Sequence, residues 1–551
     1  MKKILVSMLA LLPVLASAQQ MTVQLDSAGT LSSKIPTDQM FKISELIVSG
    51  PLDGGDLKII QQMVQRTKAK DGETLLTILD LSGAKINESK VKGGLKTKND
   101  VLPDEFFEDA DKLVKVVLPN SIRIIGDEAF NGCKSLAEVN VPTMAEKIGN
   151  NAFKGCTSLG NITLSPSLKT IGSHAFDDCD AMAAIEIPAS VTEMGSDVFE
   201  GCKSLTTVVL NARIKEIKSE TFNDCQALSS ITLPEGLQEI ASDAFANCKS
   251  LTNIVFPESL KTIKSNAFKN CVSLTQIALP GAMRKLASSA FQECKSLTTV
   301  QFDGAPTEIP SDCFAGCTNL KTINIPNSVT EIGSSAFENC KMLTSIELPT
   351  GLKEIGSKAF QGCSTIPSVV IPNATGKIGS HAFRDCKSLT NAEINGFVEK
   401  LNTGLFEGCA SLTNIKLPAS VTEFKDDCFK GCSSLTSFVI PVTVKEIGNS
   451  CFKNCKSLQK IELGASLSSI GGDAFANCGA LTTVKCNASV PAKMAKLQKP
   501  FDKDSYNKVT LIVPTGTKNL YVVDKKWSKF RVIYEVQELQ TTQPAAAAVA
   551  N

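Results

Sequence analysis

Residues 336–358 read Ala-Phe-Glu-Asn-Cys-Lys-Met-Leu-Thr-Ser-Ile-Glu-Leu-Pro-Thr-Gly-Leu-Lys-Glu-Ile-Gly-Ser-Lys, and Ala359-Phe360 begins the same phrase again. The cysteine in this phrase, Cys340, is one of sixteen that recur at a fixed interval of 23 residues from Cys133 to Cys478. A Phe stands three residues before each of them, as Phe130, Phe291 and Phe475 do, and Leu or a close substitute stands three after, as in Leu136, Leu205 and Leu435. Apolar residues follow six and eight positions on, Ile231 and Leu233 for example, then often a Pro (Pro142, Pro326, Pro418) and an Ile-Gly pair (Ile148-Gly149, Ile332-Gly333). A period of about 20–29 residues with aliphatic side chains at set offsets means stacked single-turn repeats, none of which buries its apolar side alone. The chain is a solenoid.

Each part of the phrase has a local reading. Ile346 and Leu348 are two apart and share one face of a short strand. Pro349 ends that strand by removing a ladder donor. Gly356 permits a tight or left-handed turn, and the residues leading into Ala359-Phe360 form one short helical turn that drops the ring into the core. Every turn then adds one strand to a long parallel sheet.

The unit resembles the 23-residue repeat of the BspA-like leucine-rich repeat family, the Treponema pallidum type, over residues 99–486, about seventy per cent of the chain. The resemblance implies an α/β solenoid with one strand per turn, a parallel β-sheet on the concave face, and a closing unit at each end. Residues 19–98, with Ser44-Glu45-Leu46-Ile47-Val48-Ser49-Gly50 and Leu79-Asp80-Leu81-Ser82, resemble the family's N-terminal cap. Residues 487–536, with Val513-Pro514-Thr515-Gly516-Thr517, Tyr521 and Trp527, resemble its C-terminal cap. End repeats without such caps expose core to water.

Residues 1–18 carry two lysines, an apolar run from Ile4 to Leu15 and Ala16-Ser17-Ala18, the pattern of a cleaved secretory signal. That run is too short to span a bilayer, and no later stretch reaches 18 apolar residues. A secreted, cell-surface or periplasmic location is expected. The formal charge is +1, from 57 basic and 56 acidic residues, which excludes strong steering toward nucleic acid or anionic membrane. Residues 537–551, made chiefly of Gln, Thr, Pro and Ala, read as a disordered tail.

Twenty cysteines in an exported chain ordinarily suggest disulfides. The period argues against them. Equivalent residues on successive turns lie about 4.8 Å apart, whereas a disulfide brings its Cβ atoms to roughly 3.5–4.5 Å. A column of buried thiols, each able to cap a backbone carbonyl, is the easier state, and Ala110 holds the same phase one repeat earlier. A straight column also fails to converge four ligands on a metal. Cys313, Cys428 and Cys451 replace the Ala before Phe, Cys486 takes a strand position, and a Cys428–Cys451 bridge remains an open alternative to two small core side chains.

Catalytic groups are scarce. The two histidines, His174 and His381, occupy the same place nine repeats apart and read as surface residues on a helical turn. Columns such as Glu193, Glu216 and Glu239 or Glu308, Glu331 and Glu354 stand beside Lys215, Lys353 and Gln238 and read as a solvated face. No phosphate loop, zinc spacing or nucleophile elbow is present, so neither cofactor nor metal is expected and the protein reads as a non-enzyme.

Surface then carries function. The positions five and seven residues after each column Cys point out of the sheet, and Asn253, Gln276, Thr299, Gln301, Thr322, Asn324, Ser345 and Glu347 form the candidate protein-binding face. It is polar, mostly small and free of aromatic rings, which suits a broad protein contact better than a glycan cleft. A face composed only for folding is the competing reading, since strand propensity alone favours Thr and Val there. The three tyrosines and one tryptophan, between Tyr506 and Tyr534, read as part of the C-terminal cap rather than a binding hot spot. The family resemblance implies an adhesin binding host matrix proteins or other cells. The alternative is a structural envelope or periplasmic scaffold with no host ligand.

Overall fold

A computed structural model describes residues 19–65, 76–496 and 499–538. The secretory segment expected over 1–18 and the tail beyond residue 538 lie outside these residues. Glu538, the second residue of the expected tail, accepts hydrogen bonds from Lys518 Nζ at 3.0 Å and from the Glu535 N–H at 2.8 Å. The chain divides into two compact units, Met1–Pro234 and Glu235–Asn551.

In the first unit a parallel sheet runs from Gln19–Gln24 through Ile43–Leu52, Ile78–Asp80 and Lys115–Val117 to Glu138–Val139. The helix Gly54–Val64 starts at a reciprocal cap, in which Asp53 accepts from the Gly55 and Asp56 N–H groups while Asp56 accepts from the Asp53 N–H. Asp56 is buried, and the Gly29 and Leu31 N–H groups satisfy its remaining capacity at 2.6 and 2.9 Å. Leu57, Ile60 and Met63 carry the helix's apolar side into the core.

The expected parallel solenoid is present in both units. In the second, Gln276–Leu279, Thr299–Phe302 and Thr322–Ile323 pair in register, and the first two bury alternate residues, Ile277 and Leu279 or Val300 and Phe302. A second ladder, not anticipated from the sequence, runs beside the first: Glu308–Ile309, Glu331–Ile332, Glu354–Ile355 and Lys377–Ile378 pair in parallel, with each Ile buried and its charged neighbour facing solvent. A β-branched residue just before the Ile-Gly glycine fits a pleated, half-buried surface well enough to make this two-residue strand.

The short helical turn expected ahead of each Phe does not form. Instead Lys358 N, Phe360 N and Gly362 N donate to the carbonyls of Ser380, Ala382 and Arg384 on the next turn, at 2.9, 2.8 and 2.8 Å. An α-helical turn would aim those N–H groups back along its own chain. Here Lys358 and Gly362 take left-handed φ values of 57° and 74°, which turns alternate N–H groups outward along the stack. The Phe ring still reaches the core as expected: Phe360 stacks between Phe337 and Phe383 with centroids 5.2 and 5.3 Å apart.

The Ile-Gly glycine is not left-handed either. Its role is close approach, because a Cβ on Gly356 would sit 2.4 Å from Ser334 N of the preceding turn. Gly356→Ala is expected to destabilise the second unit by about 1–3 kcal/mol through overpacking, seen as a lower denaturation midpoint. An unchanged midpoint would mean that the turns separate without cost.

The first ladder also has a longer rhythm. Asn211, Asp303, Asn395 and Asn487 stand 92 residues apart, four repeats, where many other turns have Pro. Each donates its backbone N–H to the preceding turn, at 3.0, 2.9, 3.0 and 3.0 Å respectively, a bond Pro cannot make. Between such reinforced turns the ladder lapses, and residues 253–256 and 344–348 carry no strand.

Candidate protein-binding face and a histidine–carboxylate cluster

All eight residues of the candidate face are exposed. Pairing sets Gln276 beside Thr299, Thr299 beside Thr322, and Ala278 beside Gln301. Asn324 is exposed but committed: its Oδ1 accepts from the Phe302 N–H at 2.8 Å and its Nδ2 donates to the Phe302 carbonyl at 3.1 Å, so its side chain extends the ladder that its own backbone leaves. Ser345 and Glu347 lie on a turn that lacks a first-ladder strand, and Asn253 on another. Where the ladder lapses at 253–256, a groove of about 410 Å³ opens, lined by Asn253, Val255, Gln276, Ala278, Thr299 and Gln301 among others. Val255 is 74% exposed there, and Val370 and Val439, at the same repeat position, are 55% and 68% exposed. The face is therefore polar with spaced apolar spots, one of them set in a groove.

The aromatic cluster is internal. Trp527 and Tyr521 are fully buried and tied to backbone carbonyls, Trp527 Nε1 donating to Ala492 O at 2.8 Å and Tyr521 Oη to Ala488 O at 2.6 Å. Only Tyr534 of this group is open to solvent. Rings held this way contribute packing and are not available as hot spots.

All twenty cysteines are buried with free thiols, Cys428 and Cys451 included. In the column the thiol donates across one turn to a Phe carbonyl: Cys294 Sγ to Phe268 O at 3.2 Å, Cys317 Sγ to Phe291 O at 3.2 Å, Cys363 Sγ to Phe337 O at 3.1 Å. The same carbonyl accepts the N–H of its own turn's Cys, as Phe337 O does from Cys340 N at 3.1 Å, so both lone pairs are used. Burial pushes these thiols up, Cys271 to about 12. That is the opposite of a reactive nucleophile.

The glutamate columns behave as a solvated face. Glu354 pairs with Lys377, Glu216 with Lys218 and Glu239 with Lys264. The histidines do not behave as bare surface residues. His174, on a left-handed turn residue, sets Nδ1 3.1 Å from Asp177 Oδ2 and Nε2 3.9 Å from Asp197 Oδ2. Asp177 is buried and also meets Lys154 Nζ at 2.8 Å, while Asn223 Nδ2 donates to Glu200 at 3.1 Å. Burial, then the charges of Asp177, Glu220 and Asp197, raise the Glu200 carboxyl above the usual carboxylate range. His381, in the second unit, sets Nε2 3.8 Å from Glu407, whose carboxylate is also met by Arg384 and Lys430. Reading the chain in rows of 23 puts His174, Asp197 and Glu220 in one column and Lys154, Asp177, Glu200 and Asn223 in another. No short linear spacing links the members of either column.

Residues 100–229, 215–343, 307–436 and 425–493 match the family described as BspA type Leucine rich repeat region. A leucine-rich repeat protein of Bacteroides ovatus is 28% identical, with 74% of this chain and 90% of that one covered and a TM-score of 0.36. A leucine rich cell surface protein of Faecalibacterium prausnitzii is 25% identical over 73% of this chain and 86% of that one, TM-score 0.31. The leucine rich repeat protein of T. pallidum is 32% identical over 30% of this chain and 76% of that one, TM-score 0.27. No curated protein matches the chain significantly. Among the described residues no helix is long and apolar enough to cross a membrane.

Proposed function

Since this chain belongs to the BspA-type leucine-rich repeat family, we propose that it is a secreted or cell-surface adhesin that holds host matrix proteins or other cells through the outward face of its first ladder. The observation that carries this reading is the exposed run from Asn253 to Glu347, uncharged over most of its length, with the groove at Val255 and Ala278 in its middle. Stacked repeats offer such extended surfaces for binding. The face lacks Trp, Tyr and Arg, the side chains of concentrated hot spots, so each turn contributes little and firm attachment comes from many contacts or many copies. No catalytic step belongs to this reading.

Beads coated with the protein should adhere to an extracellular-matrix layer. Asn253→Lys, Thr299→Lys and Ser345→Lys together should cut adherence roughly tenfold, the loss of about 1.4 kcal/mol. Ser265→Lys, Ser288→Lys and Ser334→Lys, on the turn side, should leave it unchanged. Equal adherence by the two variants would rule out this face. Failure of every form to adhere, with the protein on intact cells shielded from added protease, would favour the envelope-scaffold reading.

A further inference from the structure

We propose that His174, Asp197, Glu200 and Glu220 form a binding site for a divalent transition-metal ion of the Mn²⁺ kind, with Asp177 as the residue that positions the imidazole. His174, Asp197 and Glu220 hold the same left-handed position on three successive turns of the first unit, and the stack brings them together although 23 residues separate each from the next. The Nδ1 side of His174 faces the buried carboxylate of Asp177 at 3.1 Å, so Nδ1 carries the proton and Nε2 offers its lone pair. A carboxylate behind an imidazole is the usual support of a metal-bound histidine, fixing its tautomer and ring orientation. Lys154, 2.8 Å from the same Asp177 oxygen, pairs with that carboxylate.

Nε2 points to Asp197 Oδ2 at 3.9 Å. That is too long for a hydrogen bond, yet two ligands each about 2.1 Å from one ion can stand as much as about 4 Å apart. One oxygen each of Asp197, Glu200 and Glu220 lie within 4.8 Å of one another, and a His174 nitrogen lies within 4.8 Å of one oxygen each of Asp177 and Glu200, so Glu200 belongs to both groups; the soft terminal torsions of the two glutamates are what would draw the donors onto one ion. Among the described residues no lysine or arginine pairs with Glu200 or Glu220. One imidazole with three carboxylates is a hard, oxygen-rich donor set of the sort that suits Mn²⁺.

The second histidine supplies an internal contrast. At His381, Arg384 stands where Asp177 stands and Gly404 where Asp197 stands. The protein's own cations, Arg384 at 3.4 Å and Lys430 at 3.0 Å, meet the Glu407 carboxylate there. Glu407 is thus met by built-in cations, whereas among the described residues Lys154 pairs with Asp177 and no lysine or arginine forms an ion pair with Asp197, Glu200 or Glu220. A bound ion would tie three consecutive turns of the first unit and oppose their local opening.

The test is titration of the full chain with Mn²⁺, following the electron paramagnetic resonance of the free ion; Mn²⁺ avoids the thiols, which favour softer metals. One ion per chain should bind, with nitrogen coupling in its pulsed spectrum. Asp197→Asn with Glu200→Gln should abolish binding. His174→Gln should weaken it at least tenfold and remove the nitrogen coupling. Asp177→Asn should weaken it about 10–100-fold while keeping the coupling, a split that mere structural damage would not give. His381→Gln should bind like the parent. Circular dichroism identifies any variant that fails to fold, and the single His174→Gln variant then decides. Absence of bound Mn²⁺, or binding that survives Asp197→Asn with Glu200→Gln, would overturn the proposal.

Discussion

Phe291→Ala should cost the second unit about 3–5 kcal/mol, the usual range for an emptied core aromatic. The ring has no solvent exposure and stacks between Phe268 and Phe314, with centroids 5.3 and 5.8 Å away and planes within 5°. Its backbone is engaged as well: the N–H donates to Cys313 O at 2.9 Å and the carbonyl accepts Cys317 Sγ at 3.2 Å. Removing the ring breaks both stacking contacts and leaves a void that neighbours held by inter-turn hydrogen bonds cannot fill. Because a repeat touches only its neighbours, opening should begin at the turns of Phe268, Phe291 and Phe314. Hydrogen exchange should find protection lost there first, and urea denaturation should find the lower midpoint. A parental midpoint would show that the stack does not need this ring.

The thiol column predicts an equally large effect, read as reactivity. At neutral pH without denaturant almost none of the twenty cysteines should react with a thiol reagent; in denaturant without reductant, most should. Recovery of eight or more disulfides by mass spectrometry would contradict this. The same column makes the fold sensitive to alkali. Burial raises the Cys271 and Cys478 thiols from 9.0 to about 12, while the unfolded chain releases its thiol protons near the ordinary value. Their contribution is therefore whole below pH about 9 and declines as pH rises toward 12, by roughly 1.4 kcal/mol per thiol for each pH unit. Stability should fall steeply between those values, and a flat profile from pH 9 to 11 would mean that the thiols are not held protonated by the core.

Much of the architecture was legible in the sequence because a solenoid repeats its physics. Sixteen cysteines and their Phe partners in one phase point to stacked turns, each of which buries the same two side chains every 23 residues. The thiol-to-carbonyl bond could also be anticipated, because Cys is small and a weak donor. The Asn and Asp at 92-residue spacing announce the reinforced turns, and the carboxylates around His174 align when the chain is written in rows of 23.

What the sequence determined by itself was the period, the parallel stacking, the inward Phe and Cys columns and the outward face from Asn253 to Glu347. What only the tertiary structure decided was the backbone path between those anchors. The turn around Phe360 is built on left-handed residues instead of an α-helical turn because alternate N–H groups find carbonyls on the next turn. The Ile-Gly glycine is demanded by the backbone of the turn behind it, as at Gly356 and Ser334. His174 meets Asp177 and Asp197 because the stacking distance sets them face to face. Each of these depends on atoms about one repeat away, and local propensity does not register a neighbour that arrives only when the next turn closes.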